Sequence, residues 1–149
     1  MTVSLRRAEK SDYPACVALL QILKGAGGEP FDCKALFTDI VTDGRGRIIV
    51  AEEVSEGEGS TTLLGMVTVS YNLALRYQGE YCQLEELIVV PEARGKHVGG
   101  LLVAQIVADA KARGCGELGL YLVESTEHNR PFYEKYGVKA VGTEMRQAL

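Results

Sequence analysis

The sequence has few of the residues from which metal centres and disulfide frameworks are built. Its 149 residues include only four cysteines and two histidines. Cys16, Cys33, Cys82 and Cys115 are scattered without metal-ligand spacing, and no two of them form a redox motif. The sequence therefore predicts reduced, partly buried thiols and no metal site.

Long apolar runs and an excess of basic charge are also missing. No apolar run reaches the roughly 18 residues that span a bilayer, and the first residues, MTVSLRRAEKSDY, lack the apolar core of a signal peptide. The net charge is −4, which does not favour nucleic acid or an anionic membrane. We expect a cytoplasmic protein with no membrane or nucleic-acid partner, and positively charged substrates are the better electrostatic match.

The length and an apolar content of 46% predict a single domain over residues 1–149 with a buried core. Hydrophobic periodicity predicts strands at residues 3–7, 47–54, 62–72, 81–90 and 118–123, and one or two short final strands in 138–149. Helices are predicted from the N-cap Ser11 to a break at Gly25, Gly27, Gly28 and Pro30, from residue 31 or 32 to about 42, at 98–113 and around 130–136. We expect the second and third strands to form an antiparallel hairpin and strands 81–90 and 118–123, joined by a helix, to lie parallel.

The most informative segment is LEELIVVPEARGKHVGGLL, from Leu84 to Leu102, in which an apolar strand runs into a basic, glycine-flanked loop that opens a helix. The first N–H groups of a helix have no intrahelical partners and lie at the positive end of its dipole, which favours phosphate binding. The residues able to surround such an anion are Arg94, Gly95, Lys96, His97, Val98, Gly99 and Gly100. A P-loop is not favoured, because its Gly-Lys-Ser/Thr ending is missing.

Together with HNRPFYEKYG at residues 128–137, this loop resembles the GNAT superfamily of acetyl-CoA-dependent N-acetyltransferases. The family pattern is Gln or Arg, two residues, Gly, one residue, then Gly or Ala. Residues 94–99 match it except at His97, where the family usually has glycine. The resemblance implies an α/β (α+β) fold with a mixed central sheet of about six to seven strands, about four flanking helices, and a parallel central pair splayed for acetyl-CoA. It also implies cofactor contacts at Leu87, Ile88 and Val89, and a homodimer.

Tyr133 matches the tyrosine that GNAT enzymes often use as the acid that protonates the coenzyme A sulfur. A phenol has an ordinary pKa near ~10 and carries its proton at neutral pH. Tyr136 lies one turn later, outside the motif position, and is expected to be a packing residue. Asn129 is a candidate for a hydrogen bond to the pantetheine arm.

Glu85 and Glu86 interrupt an otherwise apolar strand, and one of them is expected to face the cleft. Consecutive strand residues point to opposite faces, so a shared role is not expected. LEEL resembles the LED segment of diamine acetyltransferases, which implies that Glu85 is the base or the amine anchor, with Glu86 as second choice. A solvent-facing pair of carboxylates beside a water chain is the alternative.

The resemblance implies an enzyme that transfers an acetyl group from acetyl-CoA to a primary amine by direct attack. A small cationic amine is favoured as acceptor, because Glu80, Glu85 and Glu86 form a local acidic cluster in the sequence. Two alternatives remain open: a catalytically weak acyl-CoA-binding or regulatory module, and an acetyltransferase of protein lysine or N-terminal amines.

Overall fold

The computed structural model describes residues 2–25 and 28–149, which form one five-stranded mixed sheet with four α-helices. The strands are β1 Thr2–Arg7, β2 Gly46–Val54, β3 Thr61–Ala74, β4 Gly79–Val89 and β5 Leu118–Leu120. The helices are α1 Tyr13–Lys24, α2 Lys34–Asp43, α3 Val98–Arg113 and α4 Arg130–Glu134. The strand order is β1-β2-β3-β4-β5; β1 to β4 are antiparallel, and β5 is parallel to β4. The predicted α/β (α+β) class is confirmed.

The first helix ends where the sequence predicts a break. Gly25 has φ +83°, a backbone conformation that glycine adopts without steric cost, and its N–H donates to the carbonyl of Gln21 at 3.0 Å. Gly27, which belongs to the same predicted break, lies outside the described residues.

The final strands predicted in residues 138–149 are wrong. This segment pairs with no strand in the described part of the chain, and its Val141 and Met145 are 97% and 89% exposed. β5 is also shorter than predicted, since it stops at Leu120. An extended segment becomes a strand only beside a partner that takes up its N–H and C=O groups, and neither 121–123 nor 138–149 has one. The described sheet therefore has five strands instead of six to seven.

Hydrophobic core lies on both faces of the sheet. Leu102 and Ile106 of α3 are buried against one face, and Cys16 of α1 and Phe37 of α2 are buried against the other. Alternation along β4 divides the predicted cofactor residues between these faces: Leu87 and Val89 pack on the α3 side, and Ile88 packs on the α1–α2 side.

The four cysteines are free, and burial raises the pKa of the Cys16 and Cys82 thiols to about 12. These two thiols therefore stay protonated and unreactive near neutral pH. Within residues 2–25 and 28–149, no three His, Cys, Asp or Glu side chains gather as a metal site would require. None of the helices in that part of the chain is long and apolar enough to cross a membrane.

Candidate active site

β4 and β5 separate in the middle of the sheet. They pair only where Cys82–Leu84 face Leu118–Leu120, although β4 continues to Val89 and pairs with β3 along its length. From Glu85 to Val89, the edge of β4 on the β5 side pairs with no strand of the described residues, so the backbone groups there are open to a ligand. This is the expected splay, and the contacts of Leu87, Ile88 and Val89 with a cofactor remain a prediction.

The predicted phosphate loop lies at the start of α3. The first intrahelical bond runs from the Leu101 N–H to the His97 carbonyl at 3.0 Å, so the N–H groups of Val98, Gly99 and Gly100 precede it. Arg94 and Lys96 are exposed beside them, and the Lys96 ammonium lies 3.8 Å from a Glu53 carboxylate oxygen. The loop therefore combines N–H groups that precede the first helical bond, a helix dipole and basic side chains, and phosphate binding by these residues stays a prediction.

His97 has the left-handed backbone conformation, with φ +61°. A side chain at such a φ meets a steric cost that glycine avoids, which is a physical reason for a glycine at this position of the family pattern. The sequence alone did not show this, because the conformation depends on how the turn enters α3.

We expect His97→Gly to raise the free energy of unfolding by up to about 1 kcal/mol, because relief of the left-handed strain is partly offset by the greater freedom of glycine in the unfolded chain. Urea unfolding of the variant and the parent measures this. Gln78→Gly is the matched comparison, since it relieves the same left-handed conformation at another place: Gln78 in the β3–β4 connection has φ +56°. A loss of stability in His97→Gly would contradict the prediction.

The glycines that begin α3 also receive the aromatic side chains of α4. A Cβ on Gly99 would lie 3.4 Å from the tip of the Phe132 ring, and a Cβ on Gly100 would overlap the Tyr136 hydroxyl. Tyr136 therefore packs on α3, as predicted. Sequence reasoning missed this second use of the glycines, which brings the two family motifs into contact.

Tyr133 of α4 is half-buried and packs against the core cluster on the α3 side of the sheet, together with Leu87 and Val89. It lines a cavity of about 500 Å³, bounded on other sides by Leu120 and by residues 138–144. Burial raises the pKa of Tyr133 above its ordinary value, so the hydroxyl carries a proton at neutral pH and can donate it. Its role as an acid stays a prediction.

Asn129 occupies the position before the first residue of α4 and is half-buried. A hydrogen bond from Asn129 to the pantetheine arm stays a prediction.

The expectation that Glu85 and Glu86 point to opposite faces is wrong. In the β3–β4 register Thr68 faces Glu86 and Val69 faces Leu84, so Glu85 is the extra residue of a β-bulge. The Ser70 hydroxyl donates to Glu85 at 2.6 Å, and the Thr68 hydroxyl donates to Glu86 at 2.8 Å. Thr68 and Ser70 are two residues apart on β3 and share a face, so the bulge places both carboxylates on that same face.

The two carboxylates differ in environment. Glu85 is exposed, whereas Glu86 is half-buried. Burial is the main cause that raises the pKa of Glu86; the charge of Glu85 adds to it, and the hydrogen bond from Thr68 opposes it. A carboxylate with a raised pKa is a stronger base, so Glu86 is the better placed of the two to accept a proton.

Glu80 does not belong to this acidic cluster, contrary to the sequence prediction. It lies near the start of β4, where its carboxylate forms a two-bond pair with Arg113 of α3 at 2.9 and 3.0 Å. The arginine holds the pKa of Glu80 below its usual range. Its charge is therefore neutralised by the fold and is not available to a substrate amine.

Comparison with known proteins agrees with this geometry. A model of the Acetyltransferase (GNAT) family matches residues 4–138. A probable glucosamine 6-phosphate N-acetyltransferase 2 of Oryza sativa subsp. japonica is 29% identical over 147 residues, covering 97% of this chain and 86% of the relative. The crystal structure of glucosamine-6-phosphate N-acetyltransferase from Arabidopsis thaliana superposes with a TM-score of 0.81 at 24% identity, over 99% of each chain. A transcriptional regulator from Bacillus halodurans C-125 superposes equally well, with a TM-score of 0.81 at 27% identity, over 99% of this chain and 100% of that one.

Proposed function

The chain belongs to the acetyltransferase (GNAT) family, and on that premise we propose that it transfers the acetyl group of acetyl-CoA to a primary amine of a small molecule by direct attack. Family membership makes it an acetyl-CoA-dependent N-acetyltransferase. The acceptor and the residue roles are the proposal. The observation that carries them is the open edge of β4, which has Tyr133 near one face and two carboxylates on the other.

The residues at this edge fit acetyl-CoA. The start of α3, with Arg94 and Lys96 beside it, suits the pyrophosphate. The unpaired stretch from Glu85 to Val89 offers backbone hydrogen bonds to an extended pantetheine arm, and Asn129 is a further candidate partner. Acetyl-CoA supplies the acetyl group as an activated thioester.

Each proposed catalytic group then has one task. Glu86 accepts a proton from the substrate ammonium so that the neutral amine can attack, and Glu85 holds that ammonium by its charge. A backbone N–H within Leu87–Val89 stabilises the negative charge that develops on the acetyl oxygen. As the amine nitrogen bonds to the acetyl carbon and the carbon–sulfur bond breaks, Tyr133 donates its proton to the departing sulfur, and the second proton that the nitrogen loses restores the tyrosine.

We propose an amino sugar phosphate as the first acceptor to test. The rice and Arabidopsis relatives are named as acetyltransferases of glucosamine 6-phosphate, whose primary amine is cationic near neutral pH. The adjacent carboxylates of Glu85 and Glu86 suit such an ammonium. Polyamines and the amines of lysine peptides are the other acceptors to compare.

Calorimetric titration with acetyl-CoA, followed by thiol release on adding each amine, tests this function. We expect micromolar binding, and release that is faster with glucosamine 6-phosphate than with glucosamine. Release with a polyamine or a lysine peptide instead would keep the acetyltransferase and change its acceptor. Absence of acetyl-CoA binding would overturn the proposed site.

A catalytically weak acyl-CoA-binding or regulatory module is the second candidate function. The structural likeness to the Bacillus halodurans protein favours it, since that protein has the same fold and is named as a transcriptional regulator. Tight acetyl-CoA binding without thiol release over the whole amine panel would support this candidate against the first.

We also propose that the protein is a homodimer and acts in the cytoplasm, where its four free cysteines suit a reducing compartment. The exposed apolar side chains Val141 and Met145, in the segment beyond α4, support a covering partner. Sedimentation equilibrium should give twice the mass of the chain, and Val141→Glu should shift the equilibrium toward monomer. A parent that stays monomeric at high micromolar concentration would contradict the dimer.

A further inference from the structure

Thr68 is buried in the core, at 6% exposure, and its hydroxyl contacts Glu86 twice. It donates to the Glu86 carboxylate at 2.8 Å and accepts the Glu86 backbone N–H at 3.1 Å. A threonine hydroxyl has one hydrogen to donate, and here that hydrogen is used on the carboxylate. The Thr68 hydroxyl thus links the carboxylate of Glu86 to the backbone N–H of the same residue, next to the bulge.

We propose that Thr68 is the positioning residue for Glu86, holding its carboxylate toward the acceptor side of β4 in the orientation needed to accept a proton. This inference rests on the proposed function for the role of Glu86, and on the geometry alone for the role of Thr68. The bulge brings both glutamates to one face, and Thr68 orients the half-buried one, Glu86.

The neighbouring pair shows why Thr68 matters more than Ser70. Ser70 donates to the exposed Glu85 at 2.6 Å and accepts from the Asn72 side-chain amide at 2.9 Å. Water can replace that contact. The half-buried carboxylate of Glu86 and its N–H have no such ready substitute, so loss of the Thr68 hydroxyl leaves both without their hydrogen bonds to it.

The groups around Glu86 keep the test simple. Glu85 of the same strand is the charged neighbour, and its charge raises the pKa of Glu86. From α1, which packs on this side of the sheet, Tyr13 and Cys16 are the titratable side chains in the core cluster, and the Cys16 thiol, with its pKa raised to about 12, stays neutral through the range of interest.

The test uses Thr68→Val, which keeps the shape and removes the hydroxyl, with Thr68→Ser to restore it. The carboxyl carbon shift of Glu86 is titrated by NMR in ¹³C-labelled protein. Because the hydroxyl stabilises the charged form, its removal should raise the pKa of Glu86 by about one pH unit or more. Thr62→Val is the matched control, an exposed threonine near the start of the same strand.

Activity gives the second readout. A raised pKa means that Glu86 stays protonated to higher pH, so the acid limb of kcat/KM should move to higher pH in Thr68→Val and return in Thr68→Ser. The KM for acetyl-CoA should stay unchanged. A variant that is merely less stable would not move the limb.

An unchanged pKa of Glu86 in folded Thr68→Val overturns the positioning role. If valine prevents folding, Thr68→Ala removes the same hydroxyl and is read in the same way. A parent protein that releases no thiol with any amine, while the pKa of Glu86 still rises in Thr68→Val, refutes the proposed function and leaves the positioning role in place.

Discussion

Replacing Tyr133 with phenylalanine should lower kcat by on the order of 10²-fold, because the departing sulfur loses its proton donor. The ring itself should stay in place, since it packs with Leu87 and Val89 and lies 5.0 Å from Phe132. Burial raises the pKa of Tyr133. If deprotonation of this phenol lowers kcat in the parent, the decrease should therefore occur only at a pH above the ordinary pKa of a tyrosine. The phenylalanine variant should lack that basic limb.

Steady-state thiol release over pH measures the effect, with circular dichroism to confirm folding. Tyr136→Phe is the matched control: it removes the same hydroxyl one turn later, from a side chain that packs on Gly100, and should keep kcat near the parent value. An unchanged kcat in folded Tyr133→Phe would remove the tyrosine from the mechanism.

Adding a single methyl group at Gly65 should destabilise the protein by about 1–3 kcal/mol. Gly65 lies on β3 opposite Val89, and a Cβ there would be 2.7 Å from the backbone oxygen of Ile88 and 3.4 Å from a methyl group of Leu102. A backbone oxygen cannot retreat unless β4 moves with it. The displaced stretch is the proposed cofactor edge, so acetyl-CoA binding should weaken as well.

Urea unfolding of Gly65→Ala measures the stability change, and calorimetry measures the affinity. Gly79→Ala is the control, because Gly79 begins β4 and a Cβ there would meet no other part of the described chain within 4 Å. Its unfolding free energy should change by less than about 1 kcal/mol in either direction. Equal effects of the two substitutions would show that close approach of the strands at Gly65 is unimportant.

Local signals were sufficient where the structure depends on neighbours in sequence. The bounds of α3, Val98–Arg113, were predicted from its apolar face, the basic residues of its last turn and the closing Gly114, and they are confirmed. The strand, loop and helix around residues 84–102 were also predicted from local signals in the sequence. Resemblance to a family motif then singled out Tyr133, which packs beside Leu87 and Val89 at the proposed cofactor edge.

The register between strands and the packing between helices were decided only by the tertiary structure. The bulge at Glu85 has no marker in the sequence, since it arises from how β4 aligns with β3, yet it moves one carboxylate to the other face. The contact between Gly100 and Tyr136 also depends on residues distant in the chain. Periodicity along one segment reports which side of that segment is apolar, but the alignment of two segments follows from the total free energy of all their contacts.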